Sequence, residues 1–348
     1  MAHARRRRHA SRQRPGTQGC RGAAAMIEPM RILLVKTSSL GDVIHNLPII
    51  HDIRHHIADI EIDWVVEESF ADIPKLHAGV NRVIPVAMRR WRKSIFTKKT
   101  WQEIKLARQQ IKQTQYDIIL DTQGLLKSAF ICSLAHGIKH GYDKHSIREP
   151  LASRFYDVTH ACPYQQHAVI RNRTLAALSL GYPVPTSAPD YGLNEAPFSV
   201  KLPKPYVIGL HGTSRDSKLW PLAHWIQLGK ALAAQGLHLV LPWASDEEES
   251  RANVIAISLN NAIVLPKCTI GQLAIIISQA QAAVGVDTGL SHLAAALNIP
   301  TIAIYTDTDP ALTGVMAGAH QPAINLGGIA QMPSVDEVMR TLLAFKNN

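Results

Sequence analysis

Four clusters of polar residues directly follow apolar runs, and they contain the residue types that could perform chemistry. The most informative lies in the segment 283–297, AVGVDTGLSHLAAAL. There an apolar run ends at Asp287, the small residues Thr288 and Gly289 follow, and His292 lies one turn into an Ala- and Leu-rich predicted helix. A strand that turns straight into a helix presents unpaired backbone N–H groups and the positive end of the helix dipole, so the pattern favours an anion-binding corner. The alternative is an ordinary helix with Asp287 as its N-cap.

A second cluster, KTSSLGD at residues 36–42, follows the apolar run Arg31–Val35 and precedes residues with helical spacing. A carboxylate in the first turn of a helix is stabilised as the anion, which keeps it able to accept a proton near neutral pH. Asp42 is therefore a candidate catalytic base. The alternative is that Asp42 only caps the helix, with Gly41 fitting the turn.

The third cluster occupies residues 211–221, HGTSRDSKLWP. The hydroxyls of Thr213 and Ser214, the backbone amides and Lys218 precede a helix that Pro221 would start, which suits a phosphate-binding loop. A solvated loop is the alternative. The sequence has neither the GxxxxGK[ST] motif of a P-loop nor a GxGxxG motif after its first strand, which argues against a P-loop protein and a nicotinamide dehydrogenase.

Acidic residues supply two further candidates. In the fourth cluster, residues 243–249, Glu248 could hold a ribose or sugar hydroxyl, although acids in a first helical turn are usually only favourable helix starts. Asp307 and Asp309 form an acid-x-acid pair of the kind that holds Mg²⁺ against a diphosphate. Because Pro310 follows at once, a turn capped by Asp309 is the favoured interpretation.

A basic stretch surrounds Trp91. It contains Arg82, Arg89, Arg90, Arg92, Lys93, Lys98 and Lys99. The stretch could be a solvated loop, a nucleic-acid patch or a contact for an anionic lipid head group.

Alternating strand and helix patterns position these clusters. Predicted strands cover 31–35, 60–66, 82–86, 116–121, 206–210, 238–241, 262–265, the apolar run before Asp287, and 301–305. Predicted helices cover 43–57, 69–76, 101–113, 125–135, 166–180, 221–234, 246–257, 270–280, the one after Asp287, and 334–345. Such alternation implies parallel, doubly wound sheets, whose ligands bind outside the carboxyl ends of the strands. We therefore predict an α/β protein with two doubly wound domains that face each other across a cleft.

Composition places the domain boundaries. Residues 30–185 are predicted to form the N-terminal domain, the proline-containing residues 186–204 a linker, and residues 205–348 the C-terminal domain, whose last helix could pack back on the N-terminal domain. Residues 1–29 contain seven arginines and one acid, and we expect this extension to be disordered and outside the fold. A basic nucleic-acid arm and a start codon placed too early are the two interpretations of it.

The overall composition is that of a soluble globular protein. The chain has 348 residues, of which 46% are hydrophobic and 18% charged, and it contains no apolar run long enough to span a membrane. The net charge of +10 is misleading, because residues 30–348 hold 30 basic and 26 acidic residues. Four scattered cysteines, Cys20, Cys132, Cys162 and Cys268, argue against a disulfide framework or a zinc site and favour the cytoplasm.

Taken together, the motifs resemble those of the bacterial ADP-heptose:lipopolysaccharide heptosyltransferases. The resemblance runs from Met30 to near the C-terminus. It is carried, in order, by VKTSSLGDV at 35–43, DTQGLLK at 121–127, REPLAS at 148–153, KLWP at 218–221 and DTGLSHLAAA at 287–296. The KTSS start is similar to the enzymes that act first in that pathway.

The resemblance implies a GT-B glycosyltransferase with two Rossmann-like domains. It implies inverting transfer of L-glycero-D-manno-heptose from ADP-heptose to Kdo₂-lipid A, at the cytoplasmic face of the inner membrane, with peripheral membrane contact and without a cofactor, nucleic acid or obligatory protein partner. By the family's pattern Asp42 matches the base. Donor contacts are carried over to Thr213, Ser214, Lys218, Glu248, Asp287, Thr288, Gly289 and His292. Acceptor contacts are carried over to Arg89, Arg92, Lys127 and Arg148.

Two departures and two alternatives accompany this interpretation. The arginine-rich extension has no counterpart in the family, and Thr306-Asp307 replaces the usual Gly-Pro, which leaves a weak Mg²⁺ site at Asp307 and Asp309 open. The alternatives are another GT-B transferase or epimerase with a different nucleotide sugar, and a basic nucleic-acid- or membrane-binding protein.

Overall fold

The computed structural model describes residues 28–193 and 201–345. The expected disorder of the basic extension therefore concerns residues that lie, apart from Glu28 and Pro29, outside the described part. The central portion of the predicted linker, 194–200, lies outside it as well.

The N-terminal half is built on a sheet of six strands that all pair in parallel, in the order β3-β2-β1-β4-β5-β6. The strands are β1 (Met30–Val35), β2 (Ile60–Glu67), β3 (Arg82–Val86), β4 (Gln115–Asp121), β5 (His136–Tyr142) and β6 (Val158–His160). Ile32 to Val35 are at most 1% exposed, as expected for a central strand covered by helices on both faces.

The predicted helices of this half are present except for one break, and one short helix, Met88–Lys93, was not predicted. The helices are α1 (Leu40–Ile44), α2 (Leu47–His56), α3 (Asp72–Lys75), α4 (Met88–Lys93), α5 (Lys98–Lys112), α6 (Leu126–Leu134) and α7 (Ala168–Leu180). The single helix predicted over 43–57 is two helices, because Pro48, which has no N–H to donate, takes a place in the first turn of α2. Gly181 ends α7 with a φ of 76°, a left-handed conformation that favours glycine.

Strands β5 and β6 were not predicted. Their sequences, HGIKHGY and VTH, are polar, and their outer residues are exposed because the two strands lie toward the edge of the sheet. Edge strands bury little apolar surface, so the hydrophobic pattern that marks a central strand is missing.

The C-terminal half repeats the same plan. Its parallel sheet has the order β12-β11-β10-β7-β8-β9, formed by β7 (Tyr206–Leu210), β8 (His238–Leu241), β9 (Ala262–Val264), β10 (Ala282–Val286), β11 (Thr301–Tyr305) and β12 (Ala323–Gly327). Numbered from the first strand of each half, both sheets have the order 3-2-1-4-5-6, the Rossmann arrangement. The edge strand β12 was missed in the sequence, as β6 was at the edge of the first sheet.

The helices of this half are α8 (Leu222–Ala234), α9 (Asp246–Ile257), α10 (Ile270–Ser278), α11 (Gly289–Ala296), α12 (Pro310–Thr313) and α13 (Val335–Ala344). The last helix does not return to the N-terminal domain. Val335, Val338 and Leu342 of α13 are buried in the core of the second sheet, against α8 and β11.

The halves touch along three helix pairs and through the chain that connects them. Helix α1 packs on α11, α3 packs on α10, and α7 packs on α12. Tyr191, in the predicted linker, donates its hydroxyl to the carbonyl of Met316 at 2.9 Å. No helix in the described residues is both long and apolar enough to cross a bilayer.

Each sheet reverses its strand order at one point, between β1 and β4 in the first and between β7 and β10 in the second. Ligands of such sheets bind in the crevice outside the carboxyl ends of these strands. Residues 36–42 and 122–127 lie at the first crevice, and residues 211–218 and 287–292 at the second.

Candidate active site

The two crevices face each other where α1 meets α11. A β-carbon added at Gly289, the first residue of α11, would lie 2.7 Å from the side chain of Leu40. One added at Gly41 would lie 3.1 Å from Cδ2 of His292. A side chain at position 289 would therefore overlap Leu40, and one at position 41 would require the His292 ring to shift by a few tenths of an ångström, so both glycines favour the close approach of the two helices.

Asp42 occupies the first turn of α1 and is half-buried. Its Oδ2 accepts hydrogen bonds from the backbone N–H of Ser39 at 2.7 Å and from the Ser39 hydroxyl at 2.9 Å. Asp42 therefore does cap the helix, as the alternative interpretation expected. Within the described residues Oδ1 has no hydrogen-bond partner, so one carboxylate oxygen remains for a substrate proton.

The loop that leads to Asp42 is held by residues that follow β4. The side-chain oxygen of Gln123 accepts from the backbone N–H groups of Thr37 and Ser38 at 3.0 and 3.1 Å. Lys127, in the first turn of α6, donates from Nζ to the Ser38 hydroxyl at 3.0 Å. The structure thus places Lys127, which was predicted to contact the acceptor, beside the loop of Asp42. The role of Gln123 was not predicted.

Lys36 is a buried cation of this crevice that the sequence analysis did not single out. Its Nζ donates to the carbonyl oxygen of Thr122 at 2.9 Å. Burial lowers the pKa of Lys36, while the charges of Asp42 and Asp121 oppose that shift. Burial likewise lowers the pKa of Lys127, whose charge also interacts with Asp42.

Asp287 lies at the facing crevice and is held by two donors. Its Oδ2 accepts from Lys218 Nζ at 2.6 Å and from the Thr308 hydroxyl at 2.7 Å. The Thr213 hydroxyl donates to the backbone carbonyl of the same aspartate at 2.9 Å. The N-cap of α11 is Thr288, so the alternative in which Asp287 caps this helix is wrong.

The acid-x-acid triplet 307–309 supplies its central hydroxyl rather than its acids to this site. Asp309 accepts from the backbone N–H of Ala311 at 2.9 Å and caps α12, as the favoured interpretation predicted. Asp307 is exposed. The described ranges contain no group of three or more His, Cys, Asp or Glu side chains placed to hold a metal ion.

Glu248 lies beside the loop 211–218. It accepts from the backbone N–H of Ala244 at 2.7 Å, and its carboxylate covers Gly212, where a β-carbon would meet it. Ser214, two residues further along this loop, is exposed. The structure therefore brings Thr213, Lys218 and Glu248 to one crevice with Asp287.

His292 is buried between the halves. Its Nδ1 is 3.0 Å from Nε2 of His45, and the two rings meet edge to face. Burial lowers the pKa of His292 to about 4, and it lowers the pKa of His45 and of the neighbouring His167 as well. The predicted donor residue is thus also an interdomain contact, and its partner, His45, was missed although it follows Asp42 by one helical turn.

Of the four basic residues assigned to the acceptor, three interact with residues of the Asp42 crevice or with one another, and the fourth lines a different cavity. Lys127 interacts with Asp42. Arg89 interacts electrostatically with Lys127, and the exposed Arg148 with Lys36. Arg92 instead lines an apolar cavity between α4, α5 and α6.

Comparison with known proteins supports one family. The model of glycosyltransferase family 9 (heptosyltransferase) matches residues 104–342. Lipopolysaccharide heptosyltransferase 1 of Escherichia coli K12 is 48% identical over 289 residues, which is 82% of this chain and 90% of that protein. The Pseudomonas aeruginosa protein of the same name is 47% identical over 287 residues, 82% of this chain and 81% of that protein.

Solved structures agree. The E. coli heptosyltransferase WaaC with ADP has a TM-score of 0.84 at 44% identity, with 90% of this chain and 99% of that chain covered. WaaC with ADP-2-deoxy-2-fluoro heptose has a TM-score of 0.80 at 43% identity, with 92% and 100% covered. With two Rossmann-like domains that face each other across these crevices, the chain belongs to glycosyltransferase family 9, the heptosyltransferases.

Proposed function

We propose that this glycosyltransferase moves L-glycero-D-manno-heptose from ADP-heptose to Kdo₂-lipid A, with inversion at the anomeric carbon, in the synthesis of the lipopolysaccharide inner core. The relatives at 47–48% identity are named as the first heptosyltransferase of lipopolysaccharide, and the similar WaaC structures contain ADP or an ADP-heptose analogue.

One observation carries the proposal: a carboxylate with an unpaired oxygen faces a crevice that holds a lysine. Asp42 follows β1 of one half, and Lys218 follows β7 of the other, and the packing of α1 on α11 brings the two crevices together. An inverting displacement needs a base on one side of the anomeric carbon and stabilisation of the leaving group on the other.

In the proposed step, Asp42 takes the proton of the acceptor hydroxyl as the acceptor oxygen forms its bond to the anomeric carbon. The bond between that carbon and the oxygen of the β-phosphate breaks, and ADP leaves with the electron pair. Negative charge therefore develops on the diphosphate, where Lys218 and the backbone N–H groups at the start of α11 would stabilise it.

The donor contacts follow the same crevice. Thr213, Ser214, Thr288 and Gly289 would bind phosphate oxygens, and Glu248 a hydroxyl of the nucleotide sugar. Asp287 would hold Lys218 in place, and the lysine would exchange part of this ion pair for the diphosphate. His292 would fix α11 against α1.

The acceptor would lie on the N-terminal half. The charge of Lys127 interacts with Asp42 and with Arg89, and that of Arg148 with Lys36. These cations suit the carboxylates and phosphates of Kdo₂-lipid A. Because that acceptor is a lipid, we propose that the protein works peripherally at the cytoplasmic face of the inner membrane. We also propose that the step proceeds without a metal ion, so that activity persists in the presence of a chelator; loss in chelator with recovery in Mg²⁺ would instead assign a metal to the Asp307–Asp309 turn.

The direct test is transfer from ADP-heptose to Kdo₂-lipid A by the purified chain, measured as ADP release and as the mass of the product. Parallel reactions with ADP-glucose, UDP- and GDP-sugars test the nucleotide specificity. A preference for a uridine or guanosine donor would overturn the assignment. Removal of residues 1–29 should leave the activity unchanged, whereas a nucleic-acid-binding protein would lose its binding.

A further inference from the structure

The N-terminal half contains an apolar cavity of about 350 Å³ that the proposed reaction does not use. Helices α4, α5 and α6 form its walls, with Trp91, Ile104, Ile111 and Phe130 among the apolar side chains. The charged residues in its lining are Arg92 and Arg108. A volume of this size falls in the range of small-molecule sites, and walls of this kind suit a hydrocarbon chain.

Apolar side chains beside the cavity point into solvent. Phe96 is 99% exposed, and Trp101 and Leu106 are more than half exposed. The turn that carries Phe96 is well ordered by hydrogen bonds, because the Thr97 backbone N–H and hydroxyl both donate to the carbonyl of Ser94. Exposure of Phe96 is therefore a property of the folded turn.

Positive charge is concentrated in the segment that contains two of the helices lining the cavity, α4 and α5. Residues 88–112 contain nine basic residues and one acid, whereas the remainder of residues 30–348 contains 21 basic and 25 acidic residues. The one acid, Glu103, is paired with Arg90 at 2.8 Å. Among the described residues, the other eight cations of this segment form no ion pair. A strongly basic segment with protruding apolar side chains is complementary to an anionic lipid surface.

The position of the cavity relative to the active site adds a third argument. Lys127 lies in the first turn of α6 beside the loop of Asp42, and Phe130 and Ile131, three and four residues later, line the cavity. Three to four residues of helix correspond to roughly 5 Å along its axis. A lipid bound in the cavity would therefore hold the acceptor side of the crevice against a bilayer.

We propose that this cavity and its basic rim are the membrane-docking site of the protein, which takes an acyl chain of an anionic phospholipid and binds the lipid phosphate with Arg92 and Arg108. The inference rests on the proposed function in that a lipid acceptor requires the enzyme at a membrane. The inference adds which face of the protein docks on the membrane and which class of lipid that face binds.

The test is flotation of the full chain with vesicles of phosphatidylcholine and phosphatidylglycerol, and with vesicles of phosphatidylcholine alone. Binding should require the anionic lipid and weaken at high salt. Phe96→Ser should lower vesicle affinity on the order of tenfold through lost apolar insertion. Arg108→Gln should lower it about fivefold. The control Ile257→Ser, which removes an 88% exposed side chain from α9, should leave it unchanged.

Entry of the acyl chain is tested separately with phospholipids brominated on that chain, which quench nearby tryptophans. The fluorescence of Trp91 should be quenched, and comparison with Trp91→Phe identifies the signal of this tryptophan. Ala107→Phe, which fills the cavity from α5, should abolish this quenching and weaken vesicle binding. Vesicle affinity unchanged in both Phe96→Ser and Ala107→Phe would overturn the proposal.

Two activity measurements separate the other outcomes. With a fully deacylated, water-soluble acceptor, Phe96→Ser and Ala107→Phe should transfer heptose like the wild type. If vesicle binding were unchanged while KM for the acylated acceptor alone increased, the cavity would bind the acceptor's own chain and bilayer docking would be wrong. If the wild type bound anionic vesicles through these residues but transferred no heptose to either acceptor, the proposed function would fail and the docking site would stand.

Discussion

The two crevices of this heptosyltransferase are built on the same strand order, yet the aspartate in each has a different environment. Asp42 receives hydrogen bonds from one neutral residue, Ser39, through a single oxygen. Asp287 is bound by the ammonium of Lys218 at 2.6 Å and by the Thr308 hydroxyl. Repeated topology thus supplies two equivalent crevices, and the neighbouring residues leave one oxygen of Asp42 unpaired while they bind Asp287 to a cation.

Direct contacts between α1 and α11 hold the two crevices next to each other. Gly41 and Gly289 let α1 and α11 approach, and the hydrogen bond between His45 and His292 joins the same two helices. In the proposed mechanism each half therefore contributes a different part of one site.

The sharpest test of the comparison makes the same substitution, aspartate to asparagine, in each of the two crevices. Asp42→Asn should reduce kcat a hundredfold or more while the affinity for ADP-heptose stays near normal, because a general base contributes about 10² to 10⁴ to the rate. Asp287→Asn should mainly weaken donor binding, since it releases Lys218. Steady-state kinetics and calorimetric titration with ADP-heptose separate the two effects. Equal loss of donor affinity in both variants would make Asp42 structural.

Lys218→Ala should have the next largest effect, a loss of kcat on the order of a hundredfold, because one preorganised donor to the developing charge is removed. Asp287 would also keep its partly buried charge without its cation. Pre-steady-state measurement of ADP release reports the chemical step. Lys230→Ala, which removes an exposed lysine from the neighbouring helix α8, is the matched control, and wild-type rates in Lys218→Ala would exclude the lysine from leaving-group stabilisation.

The positions of these residues in the fold could be predicted from the sequence, because the signals for them are local. A β-branched run, a loop of small residues and an amphipathic stretch predict a strand that turns into a helix, and this placed Asp42, Lys218 and Asp287 at the carboxyl ends of strands. Resemblance to the family then predicted their roles.

The contacts that distinguish the crevices could not be predicted, since they join residues far apart in the chain. Thr308 reaches Asp287 from the loop after β11, and His45 meets His292 across 247 positions. Gln123 was quoted as part of a motif, but its role depends on the adjacency of β1 and β4. The separation of Arg92 from Arg89 depends on which face of α4 each occupies, and the Arg-rich pattern does not distinguish these faces.

The pH dependence of stability tests the contact between the halves at His292. Burial depresses the folded pKa of His292 to about 4 from an unfolded value near 6.5, so the unfolded chain binds a proton first as the pH falls. The contribution of His292 to the free energy of unfolding is therefore fully present above pH 6.5 and is lost as the pH decreases toward 4. Between pH 7 and pH 5 the loss should be about 2 kcal/mol for His292, from about 1.4 kcal/mol per pKa unit.

The measurement is urea unfolding at pH 7 and pH 5. His292→Gln removes the titrating ring, so its loss of stability between the two pH values should be smaller than that of the wild type by about the same 2 kcal/mol. His320→Gln, at an exposed position, should retain the wild-type loss. An identical pH dependence in His292→Gln and the wild type would show that this buried histidine does not govern acid stability.

The smallest expected effect belongs to Glu248, which lies at the periphery of the donor crevice. Glu248→Gln keeps the shape of the side chain and an oxygen that can accept from the Ala244 N–H, but it replaces a charged acceptor by a neutral one. If the carboxylate binds a hydroxyl of the nucleotide sugar, KM for ADP-heptose should rise about fivefold with little change in kcat, because a charged hydrogen bond exceeds a neutral one by about 1 kcal/mol. Glu247→Gln, on the exposed neighbour, should change neither constant. An unchanged KM in Glu248→Gln would assign Glu248 only to the start of α9 and would move the contact for the sugar hydroxyls elsewhere in the crevice.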